Sequence, residues 1–221
     1  MITLFVFLVM VLIYVLRGRH VINTWGATKD EVRSILPGDD LISSAQGQST
    51  RAITINAPVA KVWQWLVQVG QGRGGFFSYD WLENLFGLDI HTLNAIVPEL
   101  QHLTVGDEIR FGKNGPIYYV AKFEPQHALI LRMPDQQTGE YANPTAPNYY
   151  DATWGFILNP LDDHTTRFVI RGRGASNTLA GRLINEIIGP IGFIMERKML
   201  QGIKKRAEKT MSGQTLQSTQ A

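Results

Sequence analysis

The stretch Leu183-Ile184-Asn185-Glu186-Ile187-Ile188-Gly189-Pro190-Ile191-Gly192-Phe193-Ile194-Met195-Glu196-Arg197-Lys198-Met199 decides the fold. Leu183, Ile187, Ile191, Ile194, Met195 and Met199 recur at three- and four-residue steps, a stripe on one side of a helix that the pattern extends over residues 178–209. No other stretch of comparable length shows that period, and a stripe of this width needs a partner. The residues before it read mostly as short strands. A curved antiparallel sheet wrapped on one long helix buries both, which makes the fold class α+β. Pro190 removes a backbone donor and crowds the preceding turn, so a kink is expected there.

Working back from the helix, residues 165–173, 150–159, 128–133, 117–123 and 107–111 have strand character. Asn114-Gly115 suits a tight hairpin, and Leu161-Asp162-Asp163-His164 a polar loop. The polar connector 134–148, with Gly139, Pro144 and Pro147, is a candidate flap. Further upstream, Ser78 is placed to cap a short helix ending at Gly87, with Phe77 and Leu82 as a hydrophobic staple. Trp81, Leu82, Leu85 and Phe86 are expected inside, and Tyr79, Asp80, Glu83 and Asn84 at the rim. Pro58 opens a helix whose inner face is Val59, Val62, Trp63, Leu66 and Val69. Residues 50–56 alternate, with Arg51, Ile53 and Ile55 on one side, as a first strand does. Thr28 and Glu31 have capping-box spacing for a short helix before Pro37-Gly38.

Residues 1–16 are an almost unbroken apolar run followed at once by Arg17 and Arg19. With both arginines snorkelling, the run covers most of a bilayer core of about 30 Å. No basic residue precedes it and no small-x-small cleavage site follows, so an uncleaved transmembrane helix over residues 1–19 is expected. Positive charge on its C-terminal side puts the folded part in the cytoplasm. The expected organisation is an anchor at 1–19, a connector at 20–49, one domain at 50–209 and a disordered tail at 210–221. Residues 1–33 and 196–221 carry ten Lys/Arg against four Asp/Glu, whereas 34–195 carry eleven against fifteen. Basic ends suit anionic lipid headgroups, and a body without a basic stripe disfavours nucleic acid as a partner.

The order of strand, two short helices, antiparallel strands and long final helix resembles the START-like, or SRPBCC, superfamily. The residues that carry the likeness are Thr50-Arg51-Ala52-Ile53-Thr54-Ile55-Asn56-Ala57-Pro58 with Val62-Trp63-Gln64-Trp65-Leu66, then Val105-Gly106-Asp107-Glu108-Ile109, Thr166-Arg167-Phe168-Val169-Ile170-Arg171, and Met195-Glu196-Arg197-Lys198-Met199-Leu200. The last three look like membrane-anchored bacterial members. The resemblance implies a helix-grip sheet around a hydrophobic cavity, with the second short helix near its mouth. It implies no particular reaction, since members range from lipid carriers to aromatase/cyclase-like enzymes.

Chemical motifs are sparse. Gly70-Gln71-Gly72-Arg73-Gly74-Gly75 has the spacing of a dinucleotide fingerprint but follows a helix, where that fingerprint must follow a strand. Arg73 beside the next helix start is left as a candidate for an anionic headgroup. Cysteine is absent, and the five histidines form no pair at ligand spacing, so neither metal nor cofactor is expected. Ser176 lacks the second glycine of a nucleophile elbow and suits a helix cap. The candidate ligand-binding set is Tyr79, Asp80, Glu83, Tyr119, Arg132, Trp154, Phe156, Arg171, Ile187, Ile191 and Met195. Arg167, Arg171 and Arg173 share one strand face, which is either solvated or turned to an anionic ligand.

The leading expectation is a membrane-anchored domain that binds a hydrophobic small molecule or lipid, with one or two arginines orienting it. The alternatives are a cyclase/dehydratase-like enzyme using Tyr79 with Asp80 or Glu83 as acid and base, and a structural envelope protein without ligand.

Overall fold

The computed structural model describes residues 17–136 and 138–218. The expected transmembrane run at residues 1–16 lies outside them. Among the described residues no helix is long and apolar enough to cross a membrane.

Two short helices, α1 (Arg19–Asn23) and α2 (Lys29–Arg33), precede strand β1 (Gly47–Ile55). Helices α3 (Val59–Leu66) and α4 (Asp80–Leu85) follow, then β2 (Glu108–Arg110), β3 (Ile117–Glu124), β4 (Ala128–Arg132), β5 (Tyr150–Asp162) and β6 (Thr165–Ser176), and finally α5 (Leu179–Ser218). Among the described residues six strands form one antiparallel sheet in the order β1-β6-β5-β4-β3-β2, ending without pairing β1 to β2. Curved on the long C-terminal helix, it is an α+β helix-grip arrangement.

Register fixes the two faces of the sheet. Phe156 opposes Leu129 on one side and Ile170 on the other, and Ile170 opposes Arg51. One face therefore carries Arg51, Ile53, Ile55, Leu129, Leu131, Trp154, Phe156, Phe168 and Ile170. Its core is completed by α3, through Val62, Trp63 and Leu66, and by Met199, Leu200, Ile203 and Ala207 of α5. Each fully buried large side chain contributes about 1.5–3 kcal/mol by leaving water.

This corrects the reading of the long helix. Only Met199 of the expected stripe is fully buried; Leu183, Ile187, Ile191 and Ile194 are all more than half exposed. Periodicity identifies a stripe but not its partner, and the sheet meets the helix beyond the stripe. Gly202 marks the tightest approach, because a Cβ there would lie 2.2 Å from the Phe77 carbonyl oxygen. The helix starts one residue later than expected and runs on through Pro190. At its start the Gly181 N–H donates to Thr178 Oγ1 and the Thr178 N–H to Ser176 Oγ, so the cap is shared.

Helix α4 is turned relative to expectation. Trp81, Leu85 and Phe86 are about 70% exposed, whereas Glu83 is 6% exposed. Polar contacts hold it down: Asp80 accepts from the Thr92 N–H at 2.7 Å, and Asn84 exchanges two bonds with the Ile90 backbone. The expected Ser78 cap is absent, since Tyr79 occupies that position and the Ser78 hydroxyl donates to Glu83. Phe77, expected as a staple, adopts φ 57 and is buried under α5.

The opposite face of the sheet is covered by residues 27–42. Thr28 and Glu31 form the expected capping box. Arg171 donates to the carbonyls of Glu31 and Ser34 at 3.0 and 2.8 Å, holding the C-terminal end of α2. Arg167 pairs with Glu31 at 2.7 Å, and Arg173 donates to the Ile42 carbonyl at 2.9 Å. The arginine-bearing face thus faces neither solvent nor ligand; it binds the chain's own N-terminal segment.

Candidate functional site

Between the sheet and the first half of α5 lies an open cavity of about 530 Å³. Toward α3 the space is filled by the core, and it is left open where Gly172 and Gly174 of β6 and Ala152 of β5 put no bulk on the inner face. Phe76, Phe111, Tyr118 and Trp154 form an aromatic wall. The Phe111 ring lies 4.5 Å from that of Tyr118, 5.0 Å from that of Trp154 and 5.1 Å from that of Phe76. The helix side is Ile188, Ile191, Met195 and Met199.

Polar groups on the wall fall into two sets. The first is already paired: Arg51 donates to Glu196 and to the Ile22 carbonyl, Arg19 to Glu186 at 2.8 Å, and the Tyr150 hydroxyl to Asn185 Oδ1 at 2.8 Å. The second set is open. Glu83 receives the Ser78 hydroxyl on Oε1 at 2.5 Å while its buried Oε2 has no partner, and Trp154 Nε1–H, also buried, has none. Burial pushes the Glu83 carboxyl above its ordinary range, with Ser78 opposing and Asp80 adding to the rise. Burial likewise pushes the Tyr118 phenol up. The indole N–H is a donor and Glu83 Oε2 is a second open polar atom, so the free polar capacity of the wall suits a molecule that can accept from the indole.

Of the eleven sequence candidates, Glu83, Trp154, Ile191 and Met195 lie on this wall. The other seven do not. Phe156 is fully buried one layer deeper, its ring 4.4 Å from that of Trp154. Ile187 points outward at 68% exposure. Tyr79 lies under Lys198 at 5.2 Å, and Asp80 is engaged by Thr92. Arg132 and Arg171 stand on the opposite face. The former holds Asp151 through two bonds, at 2.6 and 3.2 Å, and covers the Tyr141 ring at 4.5 Å. That contact places Tyr141, from the connector expected as a flap, on the far side of the sheet from the cavity.

Tyr119 is replaced on the wall by Tyr118. A bulge between Val120 and Lys122 shifts the parity of β3, so Tyr118, Val120 and Phe123 share the inner face. Arg51 was missed despite a usable signal: it alternates with Ile53 and Ile55, and an arginine on an apolar strand face is an inward one. Arg73, the headgroup candidate, instead donates to the carbonyls of Val67 and Leu100 at 3.0 and 2.9 Å. The glycine loop around it closes on itself through paired bonds between Gly70 and Gly75.

A helix-grip domain with an open, aromatic-walled cavity is the class these observations define. No protein-family model and no curated protein matches the sequence. Among solved structures, a protein of Thermobifida fusca has 19% identity and TM-score 0.43, covering 73% of this chain and 93% of its own. A conserved protein of Geobacillus kaustophilus has 13% identity and TM-score 0.42, covering 74% and 97%. The Zhui aromatase/cyclase of a Streptomyces species has 11% identity and TM-score 0.43, covering 75% and 95%. Likeness of that degree bears on neither ligand nor activity.

Proposed function

We propose that this protein binds a hydrophobic small molecule or lipid in the cavity between the sheet and the first half of α5, while residues 1–19 tether it to a membrane with the folded domain on the cytoplasmic side. The observation that carries the binding reading is the pair of unpartnered buried polar atoms, Glu83 Oε2 and Trp154 Nε1, beside the aromatic and aliphatic part of the wall. A buried donor without a partner costs about 1–3 kcal/mol, which a ligand acceptor offsets. The volume falls within the range of roughly 300–1,000 Å³ typical of small-molecule sites. Arg19 and Arg51 are taken by Glu186 and Glu196, which favours a neutral ligand over an anion held by arginine.

Native mass spectrometry of the full chain, released gently from detergent, tests this. A retained apolar molecule is the expected result, and Ile191→Trp, which fills the helix side, should expel it. Repeated recovery of empty protein that also takes up no fluorescent lipid would favour the structural envelope role.

One observation favours a second reading, a cyclase/dehydratase-like enzyme. Glu83 is a buried carboxyl held toward its protonated form within the cavity, which is what a general acid requires. The expected partners are engaged elsewhere, Tyr79 with Lys198 and Asp80 with Thr92, so Glu83 would act without them. Glu83→Gln separates the readings: binding survives the exchange, whereas acid catalysis does not.

A further inference from the structure

The outer surface of the cavity's helical wall is unusually apolar for an exposed one. On α5, Leu183, Ile187 and Ile194 are more than half exposed, and so are Trp81 and Leu85 of α4 and Phe86 at its C-terminal cap. The two helices flank one opening, since Glu83 of α4 and Ile191 and Met195 of α5 line the same cavity and Tyr79 meets Lys198 across the gap. A water-soluble protein seldom leaves so many large apolar side chains together in water.

Two further observations identify what covers them. The first is where the chain emerges from residues 1–16. Residues 1–16 contain no charged side chain, and the chain leaving them is fixed against this part of α5: Arg19 pairs with Glu186 at 2.8 Å, Trp25 meets Phe193 at 6.3 Å, and Arg197 lies over Trp25 at 5.3 Å. The second is charge. Both carboxylates in this part of α5, Glu186 and Glu196, are taken by Arg19 and Arg51, while the exposed Arg182 and Arg197 stay at the surface. The charge left beside the apolar face is basic, which complements anionic lipid headgroups.

We infer that the exposed faces of α4 and of the first half of α5 form one membrane-docking surface, so that the cavity opens against a lipid bilayer and exchanges its ligand with that bilayer. This rests on the tether at residues 1–19 and on the binding reading, and goes beyond both. A tether alone leaves the domain free to face water.

The chain has no cysteine, so single labels report cleanly. Full-length Leu85→Cys, Ile187→Cys and Ile194→Cys proteins, each carrying a nitroxide, are reconstituted in phosphatidylcholine vesicles with a minority of phosphatidylglycerol. At these three positions oxygen collisions should exceed those of a water-soluble nickel complex. Leu161→Cys, on the β5–β6 hairpin and 59% exposed, should show the reverse. Ile187→Glu combined with Ile194→Glu should turn the Leu85 label toward water and slow ligand transfer to acceptor vesicles several-fold, with ligand still retained by native mass spectrometry. Nickel-dominated collisions at all three positions, with protein still sedimenting with vesicles, would overturn the docking surface and leave the tether standing. Shielding from both reagents would overturn it in favour of a protein cover, either residues 1–16 or a second copy. Protein that fails to sedimentate with the vesicles at all would remove the tether, and the docking surface with it.

Discussion

Glu196 accepts the Arg51 guanidinium at the point where α5 passes from its exposed half to its buried half. The pair ties the middle of the helix to the inner face of β1, with side chains only 4% and 14% exposed. Removing one partner of such a pair leaves an uncompensated charge. Arg51→Met or Glu196→Leu alone should therefore cost about 3–5 kcal/mol in denaturant unfolding, and the double variant much less than the sum. Additive losses would show that the two groups do not interact.

Glu83 makes stability depend on pH. Its folded-state pKa lies above the unfolded value because burial penalises the carboxylate. The contribution is fully present below the unfolded pKa and is lost as pH rises through the folded one. Glu31 has the opposite sign, since its bond to Arg167 lowers its pKa and the stability it gives is lost as pH falls. Denaturant midpoints across pH should show Glu83→Gln removing the alkaline-side decline only. A midpoint curve unchanged by that substitution would refute the assignment.

Trp154→Phe keeps the aromatic wall and deletes one unpartnered N–H. Affinity for the retained ligand should fall by roughly two- to tenfold, the worth of one hydrogen bond of about 0.5–1.5 kcal/mol. An unchanged affinity would mean that the indole makes no bond to the ligand.

Glycines in α5 divide by what surrounds them. A Cβ at Gly189 or Gly192 meets nothing within 4 Å, so each alanine substitution should stabilise the helix by about 0.5–1 kcal/mol. Gly202→Ala drives a methyl into the Phe77 carbonyl and should lower the melting temperature. Thermal unfolding of the three single variants separates these effects.

Local sequence codes were the legible part. The capping box at Thr28 and Glu31, the alternation of β1 and the strand series each depend on neighbours in the chain, and each was visible. Contacts between distant segments were not. The carbonyls that Arg171 holds come from a helix about 140 residues away, and nothing in the strand pattern announces them. Hydrophobicity alone predicts the apolar side of α4 inward; here Asp80, Asn84 and Glu83 fix the helix by polar contacts and leave Trp81 outside. Tyr118 and Tyr119 differ only by parity, which one bulge in β3 inverts.

The six-stranded sheet stops short of joining its outer strands, and this separates two properties that a barrel ties together. In a closed barrel, strand number and shear set the bore, so a wider interior demands a new ladder. Here the room inside is set by side chains on both walls, those of the helix among them, against strands whose pairing need not change. Capacity can drift one residue at a time, at Ile188, Ile191 or Met195, while Trp154 and Tyr118 keep their places. Descendants of this chain could take larger or smaller guests with the same backbone hydrogen bonds.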